Sequence, residues 1–163
     1  MQENNKIITL KFIESEDELD TIYQVKKEQL ETKVGEEIGL DTMYQHCNCN
    51  CIAFGEVLEQ FWKNLNLGFE PCLIFDEEFL LTHAPKANPI ASLLYGYGSC
   101  HDTTLCGNVI IAKNTYNEDE ELYTTGFTNE EAEKLMPIIR KLSDVAKNVK
   151  FQIQEPCVTV FWQ

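Results

Sequence analysis

The chain reads as an α+β domain: a mixed, mainly antiparallel sheet of about six to seven short strands packed with three or four helices. Three observations predict this. Short β-rich runs recur along the chain, and some are paired through polar turns in hairpin fashion. Helix-start signals stand between those runs. Apolar residues make up 44% of 163 residues, enough for a real core and too many for a disordered chain. That length fits one domain over 1–163.

Lys6 to Ile13 is the first strand, with apolar Ile7, Ile8, Leu10, Phe12 and Ile13. Ser15 and Glu18 then form a capping box, in which each side chain satisfies a free backbone donor of the other. Leu19, Ile22, Tyr23 and Leu30 share roughly one helical face, so a helix is expected over 16–33, stopped by Gly35. Glu36 to Leu40 reads as a short strand. Between Ile52 and Leu65, apolar residues at 54, 57, 58, 61, 62 and 65 predict a one-faced helix ending at Gly68.

Phe69–Phe75 and Phe79–Thr82 read as strands around the acidic turn Asp76-Glu77-Glu78. Asn88-Pro89 opens a short helix, with Asn as N-cap and Pro in the first position. Gly96 and Gly98 close it. Cys106–Lys113 is a strand, Asn114–Glu121 a polar turn, and Leu122–Thr125 its hairpin partner. Thr128 with Glu131 is a second capping box, and Phe127 staples onto Ala132. Ala132, Leu135, Met136, Ile139, Leu142, Val145 and Ala146 make a clean apolar face, interrupted by Pro137, which should bend the helix. Alternating Val149, Phe151, Ile153 and then Val158, Val160, Trp162, around Glu155-Pro156, predict a terminal hairpin.

Charge excludes whole classes of function. The chain carries 13 basic and 27 acidic residues, a formal charge of −14. Arg140 is the sole arginine. Surfaces that hold phosphates use clustered Lys and Arg, so direct nucleic-acid binding is not expected. No apolar run reaches the length of a membrane span, and the first residues lack the apolar stretch of a signal peptide. Seven cysteines, an odd number, with no export signal point to reduced thiols in the cytoplasm.

Four constellations bear on chemistry. His46-Cys47-Asn48-Cys49-Asn50-Cys51, if extended, puts three sulfurs on one strand face. With Cys100, His101 and Cys106 it supplies zinc-ligand types, although Cys-x-Cys is not a Cys-x2–4-Cys knuckle. The plainer alternative is reduced thiols packed in a sheet. Cys100 beside His101 is a poor nucleophile–base pair, because adjacent side chains point apart. Gly96-Tyr97-Gly98 lacks the later glycine of a dinucleotide loop and reads as a helix end. Tyr95, Tyr97 and His101 remain candidates for lining a small-molecule cleft. No motif of a hydrolase, P-loop or zinc protease is present, so no catalytic residue is assigned and no cofactor is required.

The acidic residues form the fourth constellation. Glu16, Asp17, Glu18 and Asp20 crowd the first helix start, and Glu118, Asp119, Glu120 and Glu121 crowd a turn. Part of this is ordinary helix-start chemistry and part a solvated surface. The remainder suits docking on a protein partner with a basic surface, since carboxylates on adjacent helical turns lie about 5–6 Å apart and can imitate a row of phosphates.

Several stretches carry a resemblance. They are Ile74-Phe75-Asp76-Glu77-Glu78, Leu80-Leu81, Ala84-Pro85, Asn88-Pro89-Ile90-Ala91-Ser92 and Leu94-Tyr95-Gly96, then Cys106-Gly107-Asn108-Val109-Ile110-Ile111-Ala112 and Gly126-Phe127-Thr128-Asn129-Glu130-Glu131-Ala132-Glu133. In this order they resemble a family of uncharacterised phage, prophage and conjugative-element proteins, catalogued as a domain of unknown function (three-eight-four-six type). The resemblance spans about 70–136 and, more weakly, 6–40. It implies a cytosolic α+β domain of mobile-element origin and assigns no catalytic residue. Residues 45–68 depart from the family pattern and read as an insertion. The functional expectation is a non-enzymatic protein that binds and inhibits a host protein, with a Cys/His metal module or a small-molecule protein as alternatives.

Overall fold

The apolar run near the start forms β1 (Asn4–Leu10) in a computed structural model that describes residues 3–11, 25–78, 86–101, 104–146 and 149. β1 is buried on both faces from Asn5 to Leu10, which marks a central strand. The other strands are β2 (Val25–Lys33), β3 (Ile52–Glu56), β4 (Glu70–Asp76), β5 (Val109–Tyr116) and β6 (Leu122–Thr125). The helices are α1 (Leu40–Cys47), α2 (Pro89–Tyr95) and α3 (Asn129–Ala146). The sheet order is β2-β1-β5-β4-β3, every pairing is antiparallel, and β6 pairs with β5. The α+β expectation therefore holds.

Alternation along each strand sorts the core into two faces. Ile8, Leu10, Leu73, Phe75, Val109 and Ile111 meet Ile90 and Leu94 of α2 and Leu135 and Ile139 of α3. Ile7, Cys72, Ile74, Ile110 and Ala112 meet Met43 and Cys47 of α1. Among the described residues, one short helix thus covers one face and two helices cover the other.

The strongest local signals fold as read. The Asn88 side chain accepts from the Ala91 N–H at 3.2 Å, Pro89 follows, and Gly96 closes α2 at φ +108. At the start of α3, Thr128 Oγ1 accepts from Glu131 N–H (3.1 Å) and Glu131 Oε1 accepts from Thr128 N–H (2.8 Å). Phe127 and Ala132 are both fully buried in one cluster. The helix runs through Pro137, and the carbonyl it leaves without a helical donor belongs to Glu133, an exposed residue. β5 begins at Val109 rather than Cys106 and extends to Tyr116, which shortens the hairpin turn to 117–121.

Three expectations are corrected. Residues 25–33 of the expected 16–33 helix are strand β2, pairing with β1 from Lys33 opposite Asn4 to Val25 opposite Leu10. Only Leu30 of its nine residues is buried, so pairing with β1 overrides the helix preference of Lys, Glu and Gln. Residues 36–40 form no strand beyond a single bridge, Glu37 to Thr125, and α1 starts at Leu40. The expected 52–65 helix is β3 followed by 3₁₀ turns at Glu59–Phe61 and Lys63–Leu65. Gly55 lets β3 pass under Tyr95: a Cβ there would lie 2.7 Å from Tyr95 Cε1. Residues 45–68, read as an insertion, thus supply an edge strand of the main sheet. The Ser15–Glu18 box, residues 16–24 of the first helix, the strand 79–82 and all of the terminal hairpin beyond Val149 lie outside the described residues. No helix among the described residues is long and apolar enough to cross a membrane.

Candidate functional site

The β5–β6 hairpin ends in a tip that its own first residue organises. Asn117 Oδ1 accepts from the N–H groups of Asp119 and Glu121, both at 2.9 Å. Asn117 N–H donates to the Glu121 carbonyl at 3.0 Å, and Glu120 adopts φ +62. An asparagine at the start of a turn does this because its amide oxygen reaches the backbone two residues on. The result is a fixed display of Glu118, Asp119, Glu120 and Glu121. All four are exposed, and none forms an ion pair with a described residue. Four adjacent carboxylates concentrate a negative field at one point of the surface.

Tyr116 and Leu122 face each other across the hairpin immediately below the tip. They are 68% and 58% exposed. Leu40 at the start of α1 (55%) and Phe54 on β3 (51%) are also open to solvent. These are four of the five large apolar side chains left exposed among the described residues; Val145 is the fifth. Leu40, Phe54 and Leu122 line a cavity of about 640 Å³ with Glu37 and Met43. A second cavity of about 410 Å³, with Tyr116, Trp62, Lys63 and Glu70 in its wall, shares Asn114 and Leu122 with the first. The hairpin is therefore the ridge between two adjoining hollows. The sequence reading missed Leu40, Phe54, Tyr116 and Leu122. The signal was available at 116 and 122, where an apolar residue flanks each end of an acidic turn.

The other expected carboxylates, Glu16, Asp17, Glu18 and Asp20, lie outside the described residues. The cysteine run is placed differently from expectation. It is not one extended strand face. Cys47 ends α1, Asn48 caps it at φ +53, and Cys51 immediately precedes β3. Cys47 donates its S–H to the Ile74 carbonyl at 3.4 Å, and Cys51 donates to Glu77 Oε2 at 2.8 Å. Burial pushes the Cys47, Cys72 and Cys106 thiols up to about 12. The hydrogen bond to Glu77, which favours the neutral thiol, holds Cys51 up to about 11. Burial also raises Cys49. His46 Nδ1 lies 2.9 Å from a Glu28 carboxylate oxygen.

Cys106 belongs to the core on the α2–α3 face, whereas Cys47 and Cys49 lie on the α1 face. The structure does not bring those two cysteine groups together. Among the described residues, no group of three or more His, Cys, Asp or Glu is arranged to hold a metal ion. His101 stacks on Tyr95 at 4.1 Å with rings 6° apart, and Phe75 meets Tyr95 edge-on at 5.7 Å. Tyr97 bridges to His101 through the backbone, and Cys100 is exposed beside them. The Tyr95 and Phe75 rings close over Gly55 of β3.

Comparison with protein-family models, with curated proteins and with solved structures finds no match to this chain.

Proposed function

We propose that this protein acts without catalysis of its own, by binding a host protein that has a basic surface, and that it serves a mobile element by inhibiting a defence nuclease or another nucleic-acid-binding factor. The observation that carries this reading is the hairpin tip. It presents Glu118, Asp119, Glu120 and Glu121 on a turn that Asn117 closes with two hydrogen bonds, with no described cation paired to them. Such a cluster steers a basic partner into encounter and penalises acidic ones. A net charge of −14 extends the same field over the molecule. A partner that normally grips phosphates would meet carboxylates in their place.

Capture experiments at low and high salt test the reading. The chain should retain a basic nucleic-acid-binding protein at low salt and release it at high salt. Neutralising the tip (Glu118→Gln, Asp119→Asn, Glu120→Gln, Glu121→Gln) should weaken retention. If no basic protein is retained at low salt, the reading fails.

A further inference from the structure

We infer that the two hollows flanking the β5–β6 hairpin are the seat of a basic, amphipathic segment of the partner, whose apolar face lies on Leu40, Phe54, Tyr116 and Leu122 while its Lys or Arg flanks meet the acidic rim. This deepens the partner-binding reading and rests on it. Charge alone does not explain why four of the five exposed large apolar side chains among the described residues line these two adjoining hollows. Scattered apolar residues are ordinary on a surface, but a cluster around a groove marks an interaction site.

The rim identifies the occupant's chemistry. Glu37 and Glu70 stand in the walls of the two hollows, and among the described residues Lys63 is the one cation lining either. The four tip carboxylates lie between Tyr116 and Leu122, one residue after Tyr116 and directly before Leu122. An apolar floor with an acidic rim complements a segment that has apolar anchors at i, i+3, i+4 and i+7 and cations beside them. A second copy of this chain fits poorly, because two molecules of charge −14 would press like-charged rims together. An anionic membrane surface is repelled for the same reason.

The probe is a fluorescent peptide of about 18 residues with Leu at that helical spacing and Lys elsewhere. Its anisotropy is titrated with the full chain at low salt. Saturable binding is expected, and a peptide with Glu in place of Lys should not bind. Leu122→Asp and Phe54→Ser should each weaken binding about tenfold or more. Both positions are exposed, so the fold should persist, and an unchanged circular dichroism spectrum confirms it. Binding that changes by less than about threefold in both variants overturns the inference. So does equal binding of the Glu peptide, or a dimer in size-exclusion chromatography that Leu122→Asp dissolves. If salt-sensitive capture of a basic protein survives Leu122→Asp but not the neutralised tip, the partner-binding reading stands and the groove is not its seat. If neither the capture nor the peptide titration gives binding, both fail.

Discussion

Replacing Asn88 by alanine removes three hydrogen bonds that meet at one fully buried side chain. Its Nδ2 donates to the Leu10 carbonyl at 3.0 Å and to the Gly107 carbonyl at 2.9 Å, and its Oδ1 accepts from Ala91 N–H at 3.2 Å. Asn88 thereby ties the start of α2 to the end of β1 and to the approach of β5. Losing the cap acceptor costs about 1 kcal/mol. Leaving two carbonyls without donors costs about 1–3 kcal/mol each, with Gly107 at the low end because it is only half-buried. The expected loss is about 3–4 kcal/mol, a large part of the roughly 5–15 kcal/mol that holds a domain together. In urea unfolding at pH 7, the midpoint should fall by about 1.5–2 M. Asn88→Asp supplies the chemical check. It keeps the cap acceptor but points a carboxylate at two carbonyl oxygens. That environment raises the new carboxyl's pKa, so the variant's deficit should shrink on acidification, as protonation restores one donor. A loss below about 1 kcal/mol in Asn88→Ala, or a pH-independent deficit in Asn88→Asp, would refute this account of the hub.

Three further outcomes are expected. Thr128→Ala should lower stability by about 1 kcal/mol in the same urea assay while Thr128→Ser does not, because the hydroxyl of the capping box is what matters. Iodoacetamide at pH 8 should label exposed Cys100 before Cys47, Cys72 or Cys106, and Glu77→Gln should speed labelling of Cys51 by about three- to tenfold by releasing its raised thiol, read by peptide mass mapping. Glu133 is held below its ordinary value by its hydrogen bond to Lys27 and that group's charge. A depressed carboxyl stabilises the fold above its unfolded pKa and loses that contribution as pH falls through the folded one. Wild type should therefore melt slightly above Glu133→Gln at pH 7, and the difference should vanish in acid.

What was legible in the sequence was chemistry confined to a few neighbours. Asn88-Pro89 and the Thr128–Glu131 box satisfy backbone groups within one turn, so no distant contact was needed to read them. β4, β5 and β6 showed as apolar or alternating runs. β2 did not, because Val25–Lys33 is built of residues that serve a helix well, and what makes it a strand is β1 beside it. β3 was hidden by chance spacing: Phe54, Val57, Leu58 and Phe61 fall at helical intervals, although Gly55 in their midst disfavours a helix. The acidic tip was found from composition. The apolar floor beside it was not, since Leu40, Phe54 and Leu122 come from three separate stretches that only the fold draws to one cavity.

One edge of β5 serves two strands end to end: Val109–Ile111 pair with β1, and Lys113–Tyr116 pair with β6. These halves differ sharply in when they can form. Tyr116 and Leu122 are six residues apart, whereas Ile8 and Ile111 close a loop of about a hundred. The longer closure costs about 2–3 kcal/mol more in chain entropy. β1 can pair with β2 early but has no partner on its other edge until β5 is made, while the hairpin pairs as soon as both its strands have left the ribosome. The β5–β6 hairpin is thus among the earliest native contacts, whereas the β1–β5 pairing comes late.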